Sequence, residues 1–341
     1  MPAEAPPPAD LAATSRIPTP TTPADADAVA DGVAEAGRAA RDEPWVSTDH
    51  FAANLASSEL LISARRCLAI APLTGAVRSR AGFASTAAIL QLVDVSTSHP
   101  TMIAVRPDWT ATQDISVYGG GRIMDGPVVV DSRLVRAGKK VAVAESDIYD
   151  AHGVDDPHEL HRMLGDATPA GRPGADVEGL TRAGRALVTF ARLPRISAPG
   201  MDDYDPGKWV GTIRSSDHVV ERPADHIQDA LGAQLLDAAT GQFELHRTPY
   251  VTNSIGTILG GAQAALVEAA AEAMCPGAVA IDLQMHFLAQ LRSGPARTVG
   301  QILRDSGDHW VVSVTVVDAG ADDLLLTLAT VTLQRTSTDL G

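Results

Sequence analysis

From about residue 42 onward, apolar runs alternate with short polar clusters, and their lengths define two similar sets of elements. Residues 258–274 (ILGGAQAALVEAAAEAM) are Ala-rich, contain no proline and are closed by Cys275-Pro276-Gly277. That composition predicts one helix of about four turns or more. It is apolar on nearly every side, the mark of a helix buried all round. Residues 278–289, 297–304, 310–317 and 324–336 follow as strands, separated by the turn-forming SGP, DSGD and DAGADD. Upstream, 86–97 predicts a helix, and 102–117, 128–135, 141–149 and 186–192 predict strands, with a mixed polar insertion over 151–181. A long helix followed by an antiparallel meander implies, in each half, a helix wrapped by a curved sheet, an α+β arrangement.

The two halves keep a register. Asn253, Gly256, Leu266, Val267 and Glu268 lie 174 positions after Ser79, Gly82, Leu92, Val93 and Asp94. Asp282, Gly294, Pro295, Arg304, Val311 and Asp318 lie 168 positions after Asp114, Gly126, Pro127, Arg136, Val143 and Asp150. Order is conserved across both offsets, which indicates an internal duplication with six extra residues between helix and sheet in the first copy. The domain expectation is therefore an N-terminal unit over 42–192, a Pro/Gly/Asp-rich linker over 193–208 (LPRISAPGMDDYDPGK), and a C-terminal unit over 209–341. Residues 1–41 are Ala, Pro, Thr and Asp with few large apolar side chains, and are expected to stay disordered for want of surface to bury.

Composition narrows the function. The chain of 341 residues is 45% hydrophobic and 20% charged, ordinary for a globular protein with room for one large or two medium cores. A formal charge of -15 argues against nucleic acid, whose phosphates bind clustered Lys and Arg. No apolar run reaches the roughly 20 residues of a membrane span, and no basic-then-apolar leader is visible, so a cytoplasmic protein is expected. Cys67 and Cys275 stand apart with no zinc-type spacing and are expected to be buried small residues. No metal and no cofactor are expected; His158 and His161 read as a surface helix rather than ligands. Gly119-Gly120-Gly121 with Arg122 resembles a phosphate loop only superficially, because a strand and not a helix follows, so it reads as a turn or bulge.

Asn253-x-x-Gly256-x-x-Leu259-Gly260-Gly261, an acid seven residues later at Glu268, and Phe287-Leu288 leading to Gly294-Pro295 together resemble the hotdog-fold acyl-CoA thioesterases of the phenylacetyl-CoA type. The likeness covers about 242–334 and, more faintly, 68–192. The resemblance implies two tandem hotdogs forming an intrachain pseudo-dimer, cofactor-free hydrolysis of an acyl-CoA substrate between them, and assembly of such chains into a homo-oligomer. Where the family carries His before Gly-Gly, this chain has Leu259, and the first half has Ser85-Thr86-Ala87 in place of the triplet.

Helix geometry states which residues can cooperate. Gly261 and Glu268 share a helix face but stand about 10 Å apart along the axis, too far for one carbonyl carbon to meet both. Each acid must therefore work with the N-terminus of the other helix, whose amide N–H groups and dipole suit a developing oxyanion. Two composite sites follow: Asp94 with Leu259, Gly260, Gly261 and Asn253, and Glu268 with Ser85, Thr86, Ala87 and Ser79. The first is preferred because it keeps the Asn and both glycines; in the second, Ser85 or Thr86 offers a hydroxyl in place of the lost imidazole. The acid serves as general base or as nucleophile, two routes that the sequence leaves open. Arg80, Arg292 and Arg297 are candidates for CoA phosphates. The competing readings are a non-hydrolytic acyl-CoA binding protein and a hotdog enoyl-CoA hydratase, the latter lacking a His beside either acid.

Overall fold

The computed structural model describes residues 49–119, 122–165, 177–195, 204–215, 224–253 and 256–336. The proposed tail at 1–41 lies outside these, as do 166–176 of the insertion, 196–203 of the linker, and Gly120 and Gly121. Each half is a hotdog: a long helix, Thr86–Val105 in the first and Gly260–Met274 in the second, laid against an antiparallel sheet. In the first half the strands are β1 (Ser58–Ser63), β2 (Arg66–Ala71), β3 (Trp109–Gly119), β4 (Val128–Ala137), β5 (Val141–Asp150) and β6 (Thr181–Leu193). β7 (Ile213–Ser215) follows, and the second half carries β8 (Gln234–Asp237), β9 (Gln242–Leu245), β10 (Ala278–Phe287), β11 (Ala296–Asp305), β12 (His309–Asp318) and β13 (Leu324–Arg335).

The strand order is β7-β1-β2-β4-β5-β6-β3-β10-β13-β12-β11-β9-β8, which, β7 aside, reads the same topologically from either end. The centre of that palindrome is an antiparallel β3/β10 pairing, with Ser116 opposite Gln284 and Ile115 opposite Met285. The two sheets are thus one continuous surface, and neither hotdog leaves its β3-type edge open. The duplication is visible in matching hydrogen bonds. Asp150 accepts the amides of Met124, Asp125 and Gly126, and Asp318 accepts those of Arg292, Ser293 and Gly294, ahead of the equivalent cis bonds Gly126-Pro127 and Gly294-Pro295. These bonds favour the charged carboxylates, and both acids sit below their ordinary pKa.

One buried core runs through both halves, from Leu90 and Val93 on the first helix to Leu266 and Val267 on the second. Each such side chain contributes about 1.5–3 kcal/mol by leaving water. Residues 261–271 of the second helix are all buried, as its all-round apolar pattern requires.

Two features differ from the sequence expectation. The first helix does not end at Thr97 but continues through Pro100 to Val105, and β3 begins at Trp109 rather than at 102. Pro100 costs one backbone bond, but burial of His99, Pro100, Thr101 and Val105 offsets it, and Thr101 Oγ1 donates back to Thr97 O at 2.7 Å. The chain also does not pass cleanly from linker to second unit. β7 lies beyond the 193–208 linker yet pairs with β1, and the Phe51 amide donates to Tyr250 O at 2.8 Å. β7 thus covers the β1 edge of the first hotdog. No helix among the described residues is long and apolar enough to cross a membrane. Cys67 and Cys275 are free and buried, and His158 and His161 lie on the short surface helix Pro157–Leu164.

Candidate functional site

The two long helices pack so that each carboxyl-bearing residue reaches the start of the opposite helix. At one junction, a Cβ placed on Gly260 would lie 3.5 Å from Asp94 Oδ2 and 3.3 Å from Phe287 Cζ. At the other, Glu268 Oε2 accepts hydrogen bonds from Ser85 Oγ (2.8 Å) and the Ala87 amide (2.7 Å). Both pairings span the seam between hotdogs, so neither junction exists in one half alone.

The junctions differ in what is left to offer. The first helix is doubly capped: Ser85 Oγ accepts from the Ala87 and Ala88 amides, and Glu268 takes the Ala87 amide as well. Thr86 Oγ1 is engaged elsewhere, donating to Ala280 O at 3.0 Å on β10. The second helix is preceded by Leu259, which provides no side-chain cap and whose own amide donates to Val251 O at 2.9 Å. The Leu259 side chain packs on the core. A helix start without a capping side chain presents amide N–H groups and the positive end of the dipole, and here that end faces Asp94.

The carboxyls are held differently. Asp94 is half-buried, and burial lifts its pKa to about 6, partly opposed by a 2.8 Å bond from Thr112 Oγ1 to its Oδ1. Glu268 is fully buried. Desolvation, then the nearby Glu272, push its pKa up to about 8 against the bonds from Ala87 and Ser85, and its Oε1 has no hydrogen-bond partner among the described residues. Near neutral pH, Asp94 is an ionised base beside exposed donors, and Glu268 is a neutral acid filling its own donors.

Asn253 and Ser79 occupy equivalent turns ahead of the two helices. The Asn253 amide donates to Thr257 O at 2.8 Å, and the Ser79 amide to Phe83 O at 2.7 Å; Asn253 Oδ1 also accepts from the Thr257 amide at 3.2 Å. Gly261 has a steric reason to be glycine. A Cβ there would sit 2.6 Å from Gln91 Cβ and 2.2 Å from Gln91 Oε1. Gly261→Ala is therefore expected to cost about 1–3 kcal/mol, read as a lowered Tm, because the Gln91 stem must move. An unchanged Tm would show that this contact is loose.

Two residues at the Asp94 junction were not singled out in the sequence. Gln91 is buried on the first helix, its Oε1 without a partner among the described residues, and packs on Gly261. Thr112 approaches from β3. Gln91 carried a signal, since a polar side chain three positions before Asp94 in LQLVDV shares its helix face. Thr112 carried none, because only the sheet's register brings it to the helix. Of the arginines, Arg297 is paired with Glu244 at 2.6 Å, Arg292 is exposed, and Arg80 lines a cavity near Glu272.

No protein-family model matches the sequence, and no curated protein is similar to it. Solved structures do match. A protein assigned as an oleoyl thioesterase from Lactobacillus plantarum is 11% identical, with 81% of this chain and 98% of that chain covered and a TM-score of 0.50. A 12:0-ACP thioesterase from Umbellularia californica is 11% identical over 86% and 99%, with a TM-score of 0.47. A conserved protein with a hot dog fold from Alicyclobacillus acidocaldarius is 10% identical over 80% and 94%, with a TM-score of 0.45. At these identities the likeness speaks for the fold.

Proposed function

We propose that this double hotdog hydrolyses an acyl-CoA thioester at the junction of Asp94 with the start of the second long helix. The supporting observation is the asymmetry of the two helix starts. Asp94 faces a start with no side-chain cap, whereas Ser85 and Glu268 occupy the equivalent donors at the other junction. In this reading the thioester carbonyl oxygen points at the amides of Gly261 and its neighbours, and Asp94 takes a proton from an attacking water. The negative charge gathered on the carbonyl oxygen is stabilised by those amides and the dipole behind them. Collapse breaks the C–S bond, and the proton held by Asp94 passes to the departing CoA sulfur. Thr112 orients the carboxylate, and the Gln91 amide supplies a neutral polar contact that Leu259 cannot.

The fold shared with proteins named as thioesterases agrees with this chemistry, and the absence of a histidine at position 259 assigns oxyanion binding to backbone donors. The test is CoA release from a panel of acyl-CoAs, followed with a free-thiol reagent. Release is expected; saturable binding without release would instead make the protein an acyl-CoA carrier. The pH profile is a second check. Because Asp94 must be ionised and titrates near 6, kcat/KM is expected to fall about tenfold per pH unit below that value and to level off above it. A profile flat down to pH 4.5 would remove Asp94 as the base.

A further inference from the structure

A cavity of about 770 Å³, reached on the second long helix by Ala269 and Glu272, includes neither Asp94 nor the glycines of the proposed hydrolytic junction. That volume lies within the about 300–1,000 Å³ typical of small-molecule sites. Its walls include Phe83, Phe243, Ala269 and Ala273, and its polar groups include Gln228, Glu272, Arg80 and Arg122. Gln228 Nε2 donates to Glu272 Oε2 at 2.7 Å, which ties down the carboxyl on the floor of the cavity; burial raises its pKa, opposed by that bond and by the nearby Arg80. The two guanidinium groups stand at the exposed rim; Arg122 is braced over the Phe83 ring, 5.1 Å from its centroid. At the matching positions of the other half the sequence has Ser254 and Gln290, so the two arginines are not repeated in the duplication.

We propose that this cavity is a second, non-hydrolytic ligand site that takes an amphipathic carboxylic acid, tail inward and carboxylate against Arg80 and Arg122. It cannot act on a thioester. The Ala87 amide and Ser85 hydroxyl that would receive the carbonyl oxygen already donate to Glu268, itself fully buried. Apolar walls with a paired guanidinium rim fit a chain ending in one carboxylate better than a neutral chain. The inference stands on this cavity and does not require that the Asp94 junction hydrolyse anything.

Isothermal titration of the full chain with dodecanoate, dodecanol and CoA tests it. Saturable dodecanoate binding is expected that survives Asp94→Asn and weakens at least tenfold in the Arg80→Ala/Arg122→Ala double variant, whose substitutions are both at exposed positions. Dodecanol is expected to bind at least tenfold more weakly than dodecanoate. The proposal is overturned if dodecanoate does not bind, if dodecanol binds as well, if binding is lost in Asp94→Asn and kept in the double variant, or if CoA displaces dodecanoate. Hydrolysis of acyl-CoA, measured separately, reports only on the Asp94 junction, so the two readings fail independently.

Discussion

Asp94→Asn is expected to lower kcat for acyl-CoA hydrolysis about 10³-fold with little change in KM, whereas Glu268→Gln keeps most of the activity. The magnitude is that of removing a general base from an otherwise assembled site. Asn is the informative replacement because its Oδ1 still accepts the Thr112 hydroxyl. The fold is thereby preserved while the proton acceptor is lost, so the Tm of the variant should stay near that of the parent. Glu268, buried and spent on Ser85 and Ala87, has no access to a substrate carbonyl. Equal activities in the two variants, or a loss confined to Glu268→Gln, would overturn the assignment. Label in the Asp94 carboxyl after a single turnover in ¹⁸O water would show direct attack, with the anhydride opened at the Asp94 carbon; with water as the nucleophile on the thioester the label appears only in the product acid.

Glu268→Gln is expected instead to reshape stability against pH. The folded state holds Glu268 protonated up to about 8, well above the carboxyl's ordinary 4.5. The folded protein therefore binds the proton more tightly than the unfolded chain. Its stabilising contribution is complete below the unfolded pKa and is lost as pH rises through the window from about 4.5 to 8. Asp94, raised to about 6 from 3.8, acts with the same sign over a lower window. Glutamine keeps an acceptor for the Ala87 amide and carries no charge at any pH. Between pH 5 and 9 the wild type should lose ~4 kcal/mol relative to Glu268→Gln, seen as converging or crossing Tm curves. Parallel curves across that range would mean that Glu268 does not titrate in the window.

Much of the fold is legible in the chain because it is encoded by short-range pattern. The Ala-rich, proline-free run before Cys275 could only be a buried helix, and alternation with Gly, Pro and Asp punctuation located β10 through β13 within a residue or two. The extension of the first helix past Thr97 and through Pro100 was not legible, because the burial that carries it to Val105 is not local. The addition of β7 to β1 was invisible for the same reason, since three residues carry no signature of the strand they will meet.

The sequence by itself determined that two hotdogs share one chain and that an acid sits two turns into each helix. The 10 Å between that acid and its own helix start already required a partner across the seam. Only the tertiary structure decided which junction is open. Asp94 and Glu268 occupy matching positions in matching helices, yet Ser85 binds one carboxyl and caps its helix, whereas Leu259 leaves the opposite amides uncapped. A residue's neighbours along the chain set its helix and its face. Whether its carboxyl ends as a buried neutral acid or an ionised base depends on how deeply packing against the other half buries it, and that is set by segments distant in the chain.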